Sequence, residues 1–362
     1  MPPDRRGERQ AALRVALEGE GLDALLVTHL PNIRYLTGFS GSAALLLVRP
    51  AATTLITDFR YAVQAPSEAG DAAGVEVDQK SVWERLGRLL AAAPVGALGI
   101  EAMALTVHDA QRVGELTRGK VVPTAELVER LRAVKSPEEV EAIRSAAGLA
   151  QAALAEVLPA VRPGQTEREV GGALEAALRR RGSEWHPFPT IVASGPRAAL
   201  PHARTSARPI GAGEWLLLDF GAQVDGYCAD LTRTVIVGGR ADERQRTIYE
   251  LVRTAQRRAL EHLRSGMTGR EGDALARDII AARGFGDAFG HSLGHGLGLE
   301  VHEAPRLAPT AEAVLPLHAV VTVEPGVYLP GWGGVRLEDD VHLGPDGSEV
   351  LSDGRTELVE LV

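Results

Sequence analysis

One cysteine in 362 residues excludes an intramolecular disulfide framework and fits a reducing compartment. Cys228, in DGYCADL, has no activating base near it in sequence and reads as a small packing residue. Also missing is any run of the roughly 18 uninterrupted apolar residues that a membrane span needs. The opening MPPDRRGERQ is charged and lacks the apolar stretch of a secretory leader, so a cytoplasmic protein with no membrane partner is expected. Nor is there a cationic excess. The formal net charge of −9 argues against a nucleic-acid partner, because phosphate binding needs a cationic surface. The arginines are scattered, and RRR at 179–181 reads as a helix C-terminus, where cations favour the dipole. What is present is ordinary globular composition, 45% hydrophobic and 24% charged. The length predicts two domains, since single cores stop growing at roughly 250 to 300 residues.

Up to about residue 130, apolar β-like runs (ALLVTH, AALLLV, TTLIT, ALGI, KVV) alternate with helical patterns (RQAALRVALEGEG, VWERLGRLLAAA, VHDAQRVGELTRG). That alternation predicts an α/β domain. SPEE then starts a helix, with Ser136 as N-cap, Pro137 at the first helical position and Glu139 closing a capping box. The boundary is placed there, giving domains 1–132 and 133–362. The second domain contains a cryptic duplication: GQTEREVGGALEAALRRRG (164–182) and GMTGREGDALARDIIAARG (266–284) share length, a Thr-x-x-Glu capping box after glycine and an Arg-Gly end, at an offset of 102 residues. Two acidic segments follow at similar offsets, with Asp219 against Glu324 at 105 and Asp230 against Glu338 at 108. An α+β domain of two pseudo-twofold halves is expected, with curved antiparallel sheet inside, helices outside and a site where the halves meet.

Asp219 and Asp230 lie in LLLDFGAQVDGYCADLTRTVIV, Glu324 and Glu338 in VVTVEPGVYLPGWGGVRLEDDVHL, and His295 between them in GHSLGHGLGLEVHE. A carboxylate in such apolar strand is costly to keep without a cation. Asp225-Gly226 is a strong two-residue turn signal. If Val224 pairs with Tyr227, Thr232 faces Asp219, and Asp230 falls on the same face as a diagonal neighbour within roughly 7 to 8 Å. In the second segment Arg336, Glu338 and Asp340 share a face, away from Val335, Leu337 and Val341. Arg336 could contact substrate or steady the carboxylates, and its place on the acidic strand favours the second. Four carboxylates balance two divalent cations, which about 3.5 to 4 Å apart form a known hydrolytic arrangement. An oxygen-rich set with one imidazole and no thiolate points to manganese, with cobalt, zinc or iron able to substitute. His291, His295 and His302 fall within one short stretch and read as functional, while His202, after the loop TIVASGPRAALP, is a further candidate.

These motifs resemble those of the Xaa-Pro peptidases of the pita-bread metallopeptidases, the prolidases (Xaa-Pro dipeptidases) and aminopeptidases P. NIRYLTGFSGS and TDFRY are similar to the family's N-terminal domain, RLRAVKSPEEVEAIRSAA to its linker, and LDFGAQVDGYCADLTRT, SLGHGLGLEVHE, VEPGVY and GGVRLEDD to its five-ligand signature. The resemblance implies a pita-bread catalytic domain behind a creatinase-like α/β domain, and metal ligands at Asp219, Asp230, His295, Glu324 and Glu338, with Asp230 and Glu338 bridging. It gives His202, His291 and His302 roles in holding substrate and stabilising the transition state. The implied reaction is metal-assisted hydrolysis of the bond between an N-terminal residue and proline. His302 would polarise the scissile carbonyl, and Glu324 would pass the water's proton to the departing nitrogen. A dipeptidase must also recognise the proline carboxylate, for which a bidentate arginine suits; Arg34 is the candidate, with Arg60 and Arg336 behind it. The short Glu324–Glu338 spacing favours a prolidase over an aminopeptidase P acting on longer peptides. A pseudoenzyme that binds peptides is the rival class, and methionine aminopeptidase the rival enzyme, although an extra N-terminal domain is not expected there. A homodimer is implied by the family alone.

Overall fold

The computed structural model describes residues 5–352 and 356–362, and the chain divides into two compact units, Met1–Arg132 and Ala133–Val362. In the first unit, strands β1 (Ala24–Val27), β2 (Ala44–Val48), β3 (Thr53–Asp58), β4 (Gly74–Asp78), β5 (Ala97–Glu101) and β6 (Lys120–Thr124) form one mixed sheet in the order β4-β3-β2-β1-β5-β6. Around it stand α1 (Arg6–Gly19), α2 (Leu30–Thr37), α3 (Gln64–Ala69), α4 (Val82–Ala92), α5 (Val107–Leu116) and α6 (Glu129–Arg132). Leu26, Leu47, Ile56, Leu98 and Ile100 from the sheet pack with Leu86 and Leu90 of α4 and Val113 of α5. All five apolar runs marked in the sequence are strands. The edge strand β4 and helix α2 did not stand out: β4 is mostly half-exposed, and α2 hides inside NIRYLT, opened by Pro31 in its first turn and closed by Gly38 at φ 84°.

The second unit begins with α7 (Pro137–Val157), whose capping box joins Ser136 and Glu139 as expected. There follow α8 (Glu167–Arg180), β7 (Ile191–Ser194), β8 (Glu214–Phe220), β9 (Gln223–Val224), β10 (Tyr227–Cys228) and β11 (Leu231–Val237). The second half repeats the plan with α9 (Glu243–His262), α10 (Gly269–Ala282), β12 (Gly294–Gly296), β13 (Glu303–Leu307), β14 (Val320–Val323), β15 (Gly326–Leu329), β16 (Gly333–Arg336), β17 (Asp339–Gly344) and β18 (Gly347–Val350), before a last strand β19 (Glu360–Leu361) returns to the first half. In each half a long helix precedes a helix with a Thr/Glu capping box, Thr166 with Glu169 and Thr268 with Glu271. Each capping threonine also bridges to a later strand-like segment, Thr166 to Pro209 and Thr268 to Val314. The sheets run β19-β11-β8-β7 and β13-β12-β14-β17-β18. This is the duplicated α+β architecture that the sequence repeat implied.

Strand β8 is buried on both faces. Leu216, Leu218 and Phe220 pack with Ala146, Ala150 and Leu174 of α7 and α8. Trp215 and Leu217, one residue out of phase, join the core of the second half with Val321, Val335 and Leu337. By that alternation Asp219 faces the second half. The hairpin keeps one register from Val237↔Glu214 to Tyr227↔Val224, with Thr232 opposite Asp219 and no bulge. Asp230 therefore shares the face of Asp219 and Thr232, as the tight Asp225-Gly226 turn requires.

Candidate metal centre

The acidic segment of the second half is split between two ladders. β14 pairs with β17 and β15 with β16, yet the register is the same on both sides, from Val323↔Asp339 to Gly326↔Arg336. That register sets Glu324 opposite Glu338. The break falls at Pro325, which has no N–H to give to a ladder. Thr232 then bridges to Glu338, and the Thr232 hydroxyl donates to the Glu338 carboxylate. The two halves are thus stitched together where their carboxylates meet.

Asp230, His295 and Glu338 each bring a ligand atom to within 4.8 Å of the others. His295 Nε2 lies 3.4 Å from Glu324 Oε1 and 3.8 Å from Asp230 Oδ2. Its other nitrogen, Nδ1, is 3.0 Å from the Gly296 carbonyl, which assigns the proton to Nδ1 and turns the Nε2 lone pair toward the carboxylates. Asp219 completes the group, bound by the Arg336 guanidinium. Arg336 also donates to the Thr232 hydroxyl at 3.0 Å, the Tyr328 hydroxyl at 2.9 Å and the Pro201 carbonyl at 3.2 Å. Its donors are spent on the carboxylate framework.

The electrostatics are those of a site with too many acids for its burial. Burial, with the charges of Glu338, Asp219 and Glu324, pushes Asp230 well above the usual carboxylate range. Burial and Glu338 do the same to Glu324, and burial with Asp219 raises Glu338 to about 8. Asp219 is also raised, because burial outweighs Arg336. Burial pushes His295 and His291 down to about 4, leaving neutral imidazoles with lone pairs to offer. Asp230 Oδ1 is buried with no hydrogen-bond partner, an orphaned acceptor of the kind a cation satisfies. A buried oxygen-rich set with one oriented imidazole and an orphaned carboxylate oxygen fits one or more divalent cations.

The remaining histidines border this group. His291 donates from Nδ1 to the Ser292 carbonyl at 2.8 Å, and its Nε2 is 2.8 Å from the Tyr328 hydroxyl. The His302 ring stands 4.3 Å from the His295 ring. His202 and His302 are both exposed, and the charge of His202 acts on both Asp219 and His302. Arg34 belongs to α2 of the first unit, half-buried, with Nε lacking a hydrogen-bond partner. Arg60 is held by its neighbour Asp58 at 2.7 Å. Cys228 is buried, and burial pushes its thiol up to about 12, so it is inert packing.

Three residues escaped the sequence reading. Tyr328 lay in the quoted VEPGVY, but nothing marked its hydroxyl as the link between His291 and Arg336. Asp339, wholly buried, is paired with Arg233 at 2.7 Å and accepts from Gln256 and Ser352; alternation places it among the apolar residues, where no charge is expected. Arg306 is paired directly with His295 across β12 and β13, so its side chain rises on the same face. It is exposed and makes no ion pair among the described residues.

Residues 141–345 match the family model "Metallopeptidase family M24", and residues 9–134 match "Creatinase/Prolidase N-terminal domain". The chain is 42% identical to the uncharacterized peptidase YqhT of Bacillus subtilis, over 94% of this chain and 96% of that protein. Among solved structures it is similar to an Xaa-Pro dipeptidase from Bacillus anthracis (40% identity, TM-score 0.95, 98% of this chain and 100% of the other). It is also similar to an X-Pro aminopeptidase from Thermotoga maritima (35% identity, TM-score 0.90, 97% and 99%).

Proposed function

Given that the chain belongs to metallopeptidase family M24, we propose that it is an Xaa-Pro dipeptidase, hydrolysing the bond between an N-terminal residue and a following proline. The observation that carries the metal reading is the convergence of Asp230, His295 and Glu338 around an orphaned Asp230 oxygen. Asp219, Asp230, His295, Glu324 and Glu338 would hold two divalent cations, with manganese best suited to an oxygen-rich set and cobalt, zinc or iron able to substitute. When bound, such ions supply a water of lowered pKa and Lewis-acid polarisation of the peptide carbonyl.

The chain's own residues do the rest. Glu324, 3.4 Å from His295 Nε2, would as a carboxylate take a proton from the attacking water and give it to the departing proline nitrogen. His302, exposed at the edge of the group, donates to the scissile carbonyl as negative charge develops there. His202 faces the same space and holds the substrate, while His291, fixed neutral between Ser292 and Tyr328, shapes the wall beside Glu324. Arg336 keeps Asp219 in place. Arg306 supports the dipeptide preference: an exposed guanidinium on the face of His295 is placed to pair with a free proline carboxylate. Arg34 is retained as the second candidate for that task. The reducing compartment suggested by a lone buried cysteine supports a cytoplasmic address, and a homodimer is proposed from the family.

The test compares kcat/KM for matched Xaa-Pro and Xaa-Pro-Xaa substrates with manganese present and after chelation. Preference for the dipeptide, lost on chelation, is expected. Preference for the longer peptide would assign the chain to aminopeptidase P. Cleavage of neither by manganese-loaded protein would overturn the enzyme reading and leave a peptide-binding pseudoenzyme.

A further inference from the structure

The ring of His302 makes no hydrogen bond among the described residues; its contact is the neighbouring His295 ring. Its position therefore depends on the turn that carries it. That turn is closed twice. The Gly298 N–H donates to the Glu300 carbonyl at 3.0 Å, and the Glu300 N–H donates to Glu303 Oε1 at 3.0 Å. The Glu303 carboxylate thus folds back across Val301 and His302. The turn fits closely around it: a Cβ at Gly298 would stand 2.9 Å from both Glu303 carboxylate oxygens. The Gly298 carbonyl accepts from the Cys228 N–H at 2.7 Å, fastening the turn to the hairpin that bears Asp230.

What fixes the carboxylate comes from outside the turn. Glu303 Oε2 meets Lys135 Nζ at 3.2 Å, with side chains only 6% and 1% exposed. Lys135 precedes α7, and its own N–H is held by the His318 carbonyl at 3.0 Å. A buried ion pair is weak evidence for stability, since desolvation offsets most of the attraction. Its geometry, however, is restrictive, because each charge must stay where the other is.

We propose that Lys135 is a positioning residue for His302, acting through Glu303. The ammonium pins the Glu303 carboxylate, the carboxylate closes the turn, and the closed turn sets an imidazole that no hydrogen bond among the described residues holds. This rests on the assignment of His302 to the scissile carbonyl. Without Lys135 the turn would lose one of the contacts that place it, and His302 would sample positions off the carbonyl.

The test is a double-mutant cycle on the manganese-loaded full chain, with Lys135→Met, His302→Ala and the two combined, assayed on an Xaa-Pro dipeptide. Loss of one oxyanion donor lowers kcat by about 100-fold, expected for His302→Ala. A displaced group costs about tenfold or more, expected for Lys135→Met with KM and manganese affinity little changed and with recovery in Lys135→Arg. The double variant should be no slower than His302→Ala alone. A second readout is the imidazole carbon–proton spectrum of the metal-free protein, in which the His302 signal should move in Lys135→Met while that of His262, half-buried at the end of α9, stays. Multiplying effects in the double variant, loss of manganese binding in Lys135→Met, or an unchanged His302 signal with unchanged kcat would each overturn the proposal. If His302→Ala keeps wild-type kcat, the role of His302 is wrong, and the spectrum alone decides whether Lys135 places its ring. Should Lys135→Met not fold, Glu303→Gln enters the same cycle.

Discussion

Metal-free protein should lose stability as pH rises from 6.5 to 8, a range in which most proteins change little. The folded chain holds Glu338 at about 8 by burial and the charge of Asp219, whereas the unfolded carboxyl titrates near 4.5. A raised carboxyl means that the folded state keeps a proton the unfolded state releases. Its stabilising contribution is complete below about 4.5 and is lost as pH climbs through about 8. His291 and His295, pushed down to about 4, act in the opposite sense, and because the unfolded imidazoles titrate near 6.5 they still add about 0.8 kcal/mol together between pH 6.5 and 8. The linkage relation gives a loss of about 1 to 2 kcal/mol from Glu338 over the same interval, a net fall of about 1 kcal/mol after the histidines' gain. That corresponds to a fall in Tm of about 2 to 4 °C for a unit of this size. Asp219, Asp230 and Glu324 are raised as well and act in the same sense as Glu338. The assay is thermal unfolding of chelator-treated Trp83→Phe protein, in which Trp185, Trp215 and Trp332 all report on the second unit. Glu338→Gln should flatten the slope, and manganese should abolish it by replacing protons with cations. Stability that is level or rising over this interval, or an unchanged slope in Glu338→Gln, would refute the reasoning.

Four further variants have expected outcomes. Arg306→Ala should raise KM for Xaa-Pro dipeptides by about 10- to 100-fold, the worth of a charge-assisted hydrogen bond, and change Xaa-Pro-Xaa little. Run beside it, Arg34→Ala tells which arginine reads the carboxylate, since an equal loss on both substrates removes that variant from contention. Leu217→Ala, at a side chain 0% exposed in the core of the second half, should cost about 2 to 5 kcal/mol in urea unfolding. Gly294→Ala should unseat His295 and weaken manganese binding measured by calorimetry, because a Cβ there would stand 1.9 Å from the Thr322 carbonyl oxygen.

How far the sequence reached depended on what each feature needed. The first hairpin was legible in full, because Asp-Gly fixes a two-residue turn and alternation then fixes every face. The capped helices were legible because capping boxes are local. The face-to-face register of Glu324 and Glu338 was not: VVTVEPGVYLPGWGGVRLEDDVHL reads as one hairpin, and only the folded chain reveals two ladders broken at Pro325 without a slip. Arg306 was invisible because pairing β13 with β12 depends on how GLGLEV turns, and a glycine-rich loop leaves that open. Asp339 defied alternation since its cost is met by Arg233, Gln256 and Ser352, partners distant in sequence.

The two-sided burial of β8 bears on how such a chain can be divided. A half cut free at α9 would carry Trp215 and Leu217 on a bare face, together with Asp219 and Asp230 and no facing glutamates. It would be insoluble in itself and half a site. Its complement in shape is the other half, or a copy of its own kind. The smallest piece with an independent existence is accordingly the duplicated unit, and a primordial single half could have worked only as a self-paired dimer, with four acids drawn from two identical chains.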